Sequence, residues 1–218
     1  MKDTFKITLP VLFGYIPLGM AYALLGVSYD IPAWFLILSS FFVYAGSGQF
    51  LLVGLIASGA NLLSIFVASF IINFRHIFYT LSLLGELPKS KFKHYIIFAL
   101  TDESFALLKS LDREKNSDKT YFLVALFNHI YWICGAFLGI VVGKSLDVDY
   151  SGIEFTLTAL FVVLSIELFK NNKNYKILFL GIFFGVFGLV GLPKEYMLIV
   201  TLFFGLITLL SLRKGGYV

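Results

Sequence analysis

The sequence is poor in charge and in cysteine. Only 14% of its 218 residues are charged, whereas an ordinary soluble domain has about 25%. Its one cysteine, Cys134, excludes an internal disulfide and a metal site built from thiolates alone. The chain is 59% hydrophobic and has a mean hydropathy of +0.89. A single core cannot bury this much apolar surface, so we predict an integral membrane protein.

The sequence motifs of several function classes are also missing. Neither a GxSxG nucleophile motif nor a phosphate-binding loop occurs, which argues against serine-hydrolase and ATPase chemistry. Three histidines without HExxH spacing do not indicate a metal site. Most of the charged residues behind the net charge of +4 lie between apolar runs, so a nucleic-acid partner is not expected. We predict no enzyme, no cofactor and no metal.

Apolar segments of membrane-spanning length recur along the whole chain. We predict eight of them, at 8–27, 33–57, 61–84, 94–110, 120–143, 152–170, 175–191 and 195–212. The fourth is short and carries acidic residues, and the distribution of Lys and Arg favours a cytoplasmic C-terminus whether or not it crosses. No linker marks a second domain. The expected fold is one all-α domain over 1–218, a polytopic bundle of seven or eight transmembrane segments.

Glycine and proline interrupt the first two segments. The first contains G-Y-I-P-L-G and the second Y-A-G-S-G-Q-F, which supply the candidate substrate-binding residues Gly14, Tyr15, Pro17, Gly19, Gly46, Ser47, Gly48 and Gln49. Proline removes a backbone donor and glycine lowers the cost of leaving the helix. We therefore predict a helix break in each segment and expect the breaks to approach each other, offering bare N–H groups to an anionic substrate. The alternative is a simple kink filled by neighbours.

Ionisable side chains stand inside the third and fourth segments. One apolar run is interrupted by the polar residue Asn73 and the ionisable residues Arg75 and His76. The other is interrupted by Asp102 and Glu103. Each mid-membrane charge costs about 2.5–3.5 kcal/mol if it is unpaired. We predict that Arg75 pairs with Asp102 or Glu103, either as a permanent ion pair or as one that opens for substrate or proton. Asn73 and Arg75 are further substrate-binding candidates, and His76, Asp102 and Glu103 are candidates for proton coupling.

Two sets of glycines recur every fourth residue. They are Gly135, Gly139 and Gly143 in the fifth segment and Gly181 with Gly185 in the seventh. Such faces let helix backbones approach closely in lipid. Helix packing within the chain is the simplest interpretation. One face is also a candidate for receiving a helix from another protein.

Four strings in the right order resemble one known family. They are G-Y-I-P-L-G, A-G-S-G-Q-F, N-F-R-H-I-F-Y and T-D-E-S-F-A, and they resemble the AzlC family, the large subunit of bacterial branched-chain amino acid exporters. The resemblance extends over essentially the whole chain, although the family often has Ala where Ser47 stands. It implies multi-pass placement in the bacterial cytoplasmic membrane, with proton-driven export of leucine, isoleucine, valine and methionine-like amino acids. It also implies a small AzlD-like membrane partner of about a hundred residues.

The ionisable residues agree in kind with an amino-acid substrate. A zwitterion needs groups for its carboxylate, which the broken-helix amides or Arg75 would supply, and for its ammonium, which Asp102 or Glu103 would supply. Two alternatives stay open: a transporter or channel for another small solute, and an intramembrane enzyme that uses Asp102, Glu103 and His76 as acid–base groups.

Overall fold

The computed structural model describes residues 2–85, 87, 92–111, 116–145 and 173–214, and the single residues 155, 158, 159, 162, 166 and 169. All regular elements in these ranges are α-helices. They are α1 (Lys2–Ser28), α2 (Ala33–Phe42), α3 (Ser47–Ala57), α4 (Leu62–Asn73), α5 (Arg75–Leu83), α6 (Lys93–Phe98), α7 (Asp102–Ser110), α8 (Asp118–Ser145), α9 (Tyr175–Gly191) and α10 (Lys194–Lys214). Most of the sixth predicted segment, 152–170, lies outside the described residues.

Three helical stretches among the described residues are long and apolar enough to cross a membrane. They are Thr4–Ser28, Leu62–Leu83 and Asp118–Ser145. The second consists of α4 and α5, which continue into each other through a single turn residue, Phe74. Exposed phenylalanine rings stand one helical turn apart along this stretch, at Phe66, Phe70, Phe74 and Phe78. An exposed apolar face of this kind suits lipid.

Among the described helices, α1 and α8 share the most extensive contact, and they run in the same direction. Thr8 hydrogen-bonds to Tyr131 over 3.0 Å, and further along both helices Ala23 packs on Gly139. A Cβ on Gly139 would stand 2.8 Å from the Ala23 Cβ. The glycine face of α8 is therefore filled by α1 of the same chain. Gly135 and Gly139 are therefore not available to a partner's helix, whereas the Gly181–Gly185 face stays a candidate.

The predicted break in the first segment is also wrong. Helix α1 is continuous, with Pro10 and Pro17 inside it. Proline removes only one N–H donor from the ladder, and the close packing against α8 supports the helix around it. A Cβ on Gly19 would stand 2.9 Å from the Trp132 carbonyl oxygen. Gly19 thus permits a close helix contact instead of ending the helix.

The predicted break in the second segment is confirmed. Helix α2 ends at Phe42 and α3 begins at Ser47. Between them Tyr44 and Gly46 have positive φ angles of 44° and 46°. This left-handed conformation is cheap for glycine and costly for tyrosine. A strained tyrosine beside a helix break is typical of a functional site.

The chain reverses direction at this break. The Gln49 side-chain Nε2 lies 3.2 Å from Ser39 Oγ and 3.4 Å from Ser40 Oγ. In a straight helix, ten residues would separate Ser39 from Gln49 by about 15 Å. The Tyr22 side chain of α1 also contacts both Ser39 and the Phe50 ring. Helices α2 and α3 therefore form a helical hairpin, which we call hairpin A (residues 33–57).

The fourth predicted segment is broken too, which the sequence analysis did not predict. Helix α6 ends at Phe98 and α7 begins at Asp102. Along α6 the rings of Phe92 and Phe98 contact Phe122 at 4.6 Å and His129 at 5.7 Å in turn. Helix α6 therefore runs parallel to α8.

Helix α7 returns along α8 in the opposite direction. Ser104, near its start, accepts a hydrogen bond from Asn128 at 3.0 Å. The carbonyl of Leu111, just beyond its end, accepts one from Tyr121 at 3.3 Å. Helices α6 and α7 thus form a second hairpin, hairpin B (residues 93–110).

The last two helices form an antiparallel pair of their own. Gly188 of α9 lies against Thr201 of α10, and Phe184 lies near Gly205. Helix α10 also packs against α4. All described elements that carry candidate site residues precede this pair.

Candidate functional site

The tips of hairpins A and B meet at one cavity between α1, α5 and α8. Its volume is about 50 Å³, which is room for a few water molecules and is below the usual range for small-molecule sites. The lining residues are Tyr15, Leu18, Tyr44, Ala45, Gly46, Ser47, Phe50, Arg75, His76, Thr101, Asp102, Glu103 and Trp132. Both helix breaks thus contribute to a single site.

Arg75 is the central charged residue of the cavity. Its Nη1 lies 2.9 Å from Asp102 Oδ2, and its Nη2 donates a hydrogen bond to Ser47 Oγ at 2.8 Å. The predicted pairing of Arg75 with one of the two carboxylates is confirmed, and the partner is Asp102. Both side chains are about a third exposed or less, at 27% and 32%. The pair offsets the cost of placing two opposite charges at membrane depth.

The two neighbouring carboxylates have different partners. Asp102 Oδ1 accepts a hydrogen bond from Tyr79 at 2.6 Å, in addition to its ion pair. Glu103 Oε2 accepts one from Tyr15 at 2.6 Å, and in the described part of the chain it forms no ion pair. Asp102 is therefore held by a cation, whereas Glu103 is held only by a hydroxyl.

The two half-helices that begin at the cavity differ in how their N-terminal dipoles are compensated. Helix α7 begins with Asp102 and Glu103, and its N-cap Thr101 accepts from the Ser104 amide. Helix α3 has the glycine N-cap Gly46, with no side-chain cap and no acidic residue in its first turn. The positive end of α3 therefore adds to the Arg75 charge and favours an anionic group.

An apolar wall faces these charges. Leu18, Phe50 and Trp132 line the cavity, and the Phe50 and Trp132 side chains are held in the core by contacts with Tyr22. The cavity thus offers a cation, two carboxylates and an apolar surface within one small volume. This combination suits a small amphipathic zwitterion.

His129 of α8 contacts both hairpins. Its Nε2 lies 3.2 Å from the Ser40 carbonyl oxygen of hairpin A, and its Nδ1 lies 2.9 Å from the Tyr95 hydroxyl of hairpin B. A carbonyl oxygen only accepts, so Nε2 carries the proton and Nδ1 accepts from Tyr95. The Tyr44 ring packs 4.3 Å from the imidazole. This buried histidine positions the site and does not line it.

The structure brings together about half of the predicted site residues. Seven of them line the cavity: Tyr15, Gly46, Ser47, Arg75, His76, Asp102 and Glu103. The others are not among its lining residues: Gly14, Pro17, Gly19, Gly48, Gln49 and Asn73. Gln49 is buried and accepts from the Ala45 amide within hairpin A. Gly48 packs on the Asn73 side chain: a Cβ on Gly48 would stand 3.1 Å from Asn73 Nδ2. These two residues stabilise hairpin A without lining the cavity.

Sequence reasoning missed the apolar wall and, at the tips of the hairpins, Tyr44, Ala45 and Thr101. Leu18, Phe50 and Trp132 are indistinguishable from lipid-facing or core residues in such an apolar chain. Thr101 did carry a signal, because threonine followed by acidic residues is typical of a helix start. Applied to T-D-E-S, that rule would have placed the start of α7 at Asp102. Among the described residues, no cluster of three metal-binding side chains exists.

Comparisons with known proteins agree on one family. The family model for the AzlC protein matches residues 10–146, a range that contains every residue lining the cavity. A branched-chain amino acid transport protein AzlC from Bacillus subtilis is 34% identical over 181 residues, covering 81% of this chain and 71% of that protein. An uncharacterized membrane protein from Helicobacter pylori strain J99 is 36% identical over 98% of this chain and 95% of its own length.

A more distant relative is the inner membrane protein YgaZ of Escherichia coli. It is 27% identical over 78% of this chain and 73% of its own length. No solved structure matches the chain.

Proposed function

Because this chain belongs to the AzlC protein family, we propose that it is the substrate-binding subunit of a proton-driven exporter of branched-chain amino acids. It acts in the bacterial cytoplasmic membrane. The name of the Bacillus subtilis relative supports the substrate class. Independent support comes from the cavity, where a cation, two carboxylates and an apolar wall converge.

The groups that line the cavity match those of an amino acid, and the cavity must widen to admit one. The substrate carboxylate takes the place beside Arg75 and the N-terminus of α3, where positive charge is in excess. The ammonium lies against Asp102 or Glu103. The branched side chain packs on the apolar wall, where burying each CH₂ contributes about 0.8 kcal/mol. The Arg75–Asp102 pair is the observation that carries this proposal. A zwitterion can bind between the two residues, because its carboxylate replaces Asp102 beside Arg75 and its ammonium replaces Arg75 beside Asp102.

Glu103 is the residue that we propose to carry the coupling proton. Asp102 already has a cationic partner, whereas the Glu103 carboxylate accepts only the Tyr15 hydroxyl among the described residues. We expect the Glu103→Gln protein to keep amino-acid exchange. A proton gradient should stimulate its net efflux much less than it stimulates net efflux by the unmodified protein. Exchange and gradient-driven efflux are both measured in proteoliposomes with labelled leucine. A Glu103→Gln protein that still responds fully to the gradient would move the coupling role to His76 or Asp102.

A small AzlD-like membrane protein is the proposed partner. The exporter is tested by loading cells with labelled leucine, isoleucine and valine and measuring efflux with this chain alone, with the partner alone and with both. We expect efflux above background only when both are present. No efflux of any of the three from the pair would contradict the exporter proposal. Full efflux from this chain alone would leave the exporter standing and remove the partner.

A further inference from the structure

We propose that hairpins A and B are re-entrant: each enters the membrane from one face and returns to that same face, and the two enter from opposite faces. Residues 2–145 then cross the membrane three times, through α1, α4 with α5, and α8. This topology differs from the eight-segment prediction, in which the second and fourth segments each cross. It concerns the path of the chain and does not depend on which solute is carried.

The lengths of the hairpin legs support this topology. Helices α2, α3 and α7 have 10, 11 and 9 residues, so each is about 14–16 Å long at 1.5 Å per residue. Helix α6, with 6 residues, is shorter still. A hydrocarbon core is about 30 Å thick. The three longer legs therefore span about half of this thickness and α6 spans less, so no leg is long enough to cross the membrane by itself.

The tips also lie at the middle of the long helices. Tyr44 of hairpin A contacts the ring of Tyr15, which stands midway along α1 (Lys2–Ser28). The end of α6 in hairpin B contacts His129, which stands near the middle of α8 (Asp118–Ser145). Bare backbone at this depth is tolerated because it faces protein and the cavity.

The direction of the long helices fixes which face each hairpin enters. Helices α1 and α8 are parallel, as the contacts Thr8–Tyr131 and Ala23–Gly139 show. Three crossings in residues 2–145 give the first and third the same direction, as observed. Hairpin A follows the end of α1, and hairpin B precedes the start of α8. The hairpins therefore approach the cavity from opposite sides.

The basic residues agree with this path. It places the N-terminus and both connections of hairpin B on one face, with Lys2, Lys6, Lys89, Lys91, Lys93, Lys109, Arg113, Lys115 and Lys119. The connections of hairpin A, 29–32 and 58–61, contain no Lys or Arg. If both hairpins crossed instead, the basic residues of 89–93 and 109–119 would lie on opposite faces. The positive-inside rule then assigns the basic face to the cytoplasm.

This arrangement places one hairpin between the cavity and each face of the membrane. Hairpin A separates the cavity from the external face, and hairpin B separates it from the cytoplasm. Outward movement of one tip while the other stays in place would open the site to one side only. Arg75 and Asp102 lie where the two tips meet, so a bound solute contacts both hairpins.

The topology is tested by single-cysteine labelling in intact cells, in a Cys134→Ser background. Tyr29→Cys and Ser58→Cys flank hairpin A, and Gly85→Cys and Ser117→Cys flank hairpin B, all at exposed positions. A membrane-impermeant maleimide is added before or after permeabilisation. We expect the first pair to label in intact cells and the second pair only after permeabilisation. The Cys134→Ser protein without added cysteines is the blank.

The two members of each pair decide the outcome. Re-entrant hairpins place Tyr29 with Ser58 and Gly85 with Ser117 on the same face, whereas crossing segments place the members of each pair on opposite faces. Opposite labelling within either pair overturns the proposal. Since labelling needs no transport, a chain that labels as expected but exports no amino acid would contradict the proposed function alone.

Discussion

We expect Arg75→Ala to reduce amino-acid efflux to background and to lower the free energy of unfolding by roughly 3 kcal/mol, because it leaves the Asp102 carboxylate without its cation inside the membrane domain. Arg75 contacts Asp102 at 2.9 Å and Ser47 at 2.8 Å, so one side chain joins hairpin B to hairpin A. Its loss removes the substrate's carboxylate partner as well as this connection. Efflux of labelled leucine and thermal unfolding in detergent measure the two effects separately.

Two further variants separate charge from geometry. Arg75→Lys keeps the positive charge but lacks the planar fork, so we expect most of the stability to remain and efflux to fall by at least tenfold. Arg75→Ala combined with Asp102→Asn removes both charges and should recover stability without recovering efflux. A Arg75→Ala protein with normal efflux and an unchanged unfolding temperature would show that the ion pair neither binds substrate nor holds the hairpins.

We expect Gly139→Leu to prevent the chain from folding, since a side chain there has no room against α1. A Cβ at Gly139 would stand 2.5 Å from the Met20 carbonyl oxygen, which belongs to the backbone and cannot rotate away. Overpacking of this kind typically costs about 1–3 kcal/mol, and here a whole leucine must enter the closest helix contact. Size-exclusion profiles and unfolding temperatures in mild detergent report the loss.

The matched control places the same substitution on the other glycine face. No described atom lies within 4 Å of a Cβ on Gly181, so Gly181→Leu should leave a monodisperse protein. Gly139→Ala should fall between the two, because its Cβ alone already meets the α1 backbone. Equal stability of Gly139→Leu and Gly181→Leu would show that the α1–α8 contact is looser than the structure indicates.

The sequence by itself determined that the chain lies in a lipid bilayer, that its fold is helical and that Arg75 pairs with a carboxylate. Low charge and high hydropathy indicate a membrane protein, because a single folded core cannot bury apolar surface of this extent. The pairing of Arg75 with a carboxylate followed from the cost of an isolated charge in lipid. The glycines around Gly46 predicted a break, since only glycine adopts its positive φ cheaply.

The tertiary structure alone decided that α1 stays unbroken and which way the chain turns after each break. Pro17 resembles a breaker in sequence, but packing of α1 on α8 keeps the helix continuous. Whether a broken segment runs on or folds back depends on distant contacts, such as Gln49 with Ser39 and Tyr121 with Leu111. Hydropathy is the same for a crossing segment and for two half-length legs. The convergence of both tips on Arg75 is therefore a property of packing that no local pattern in the sequence encodes.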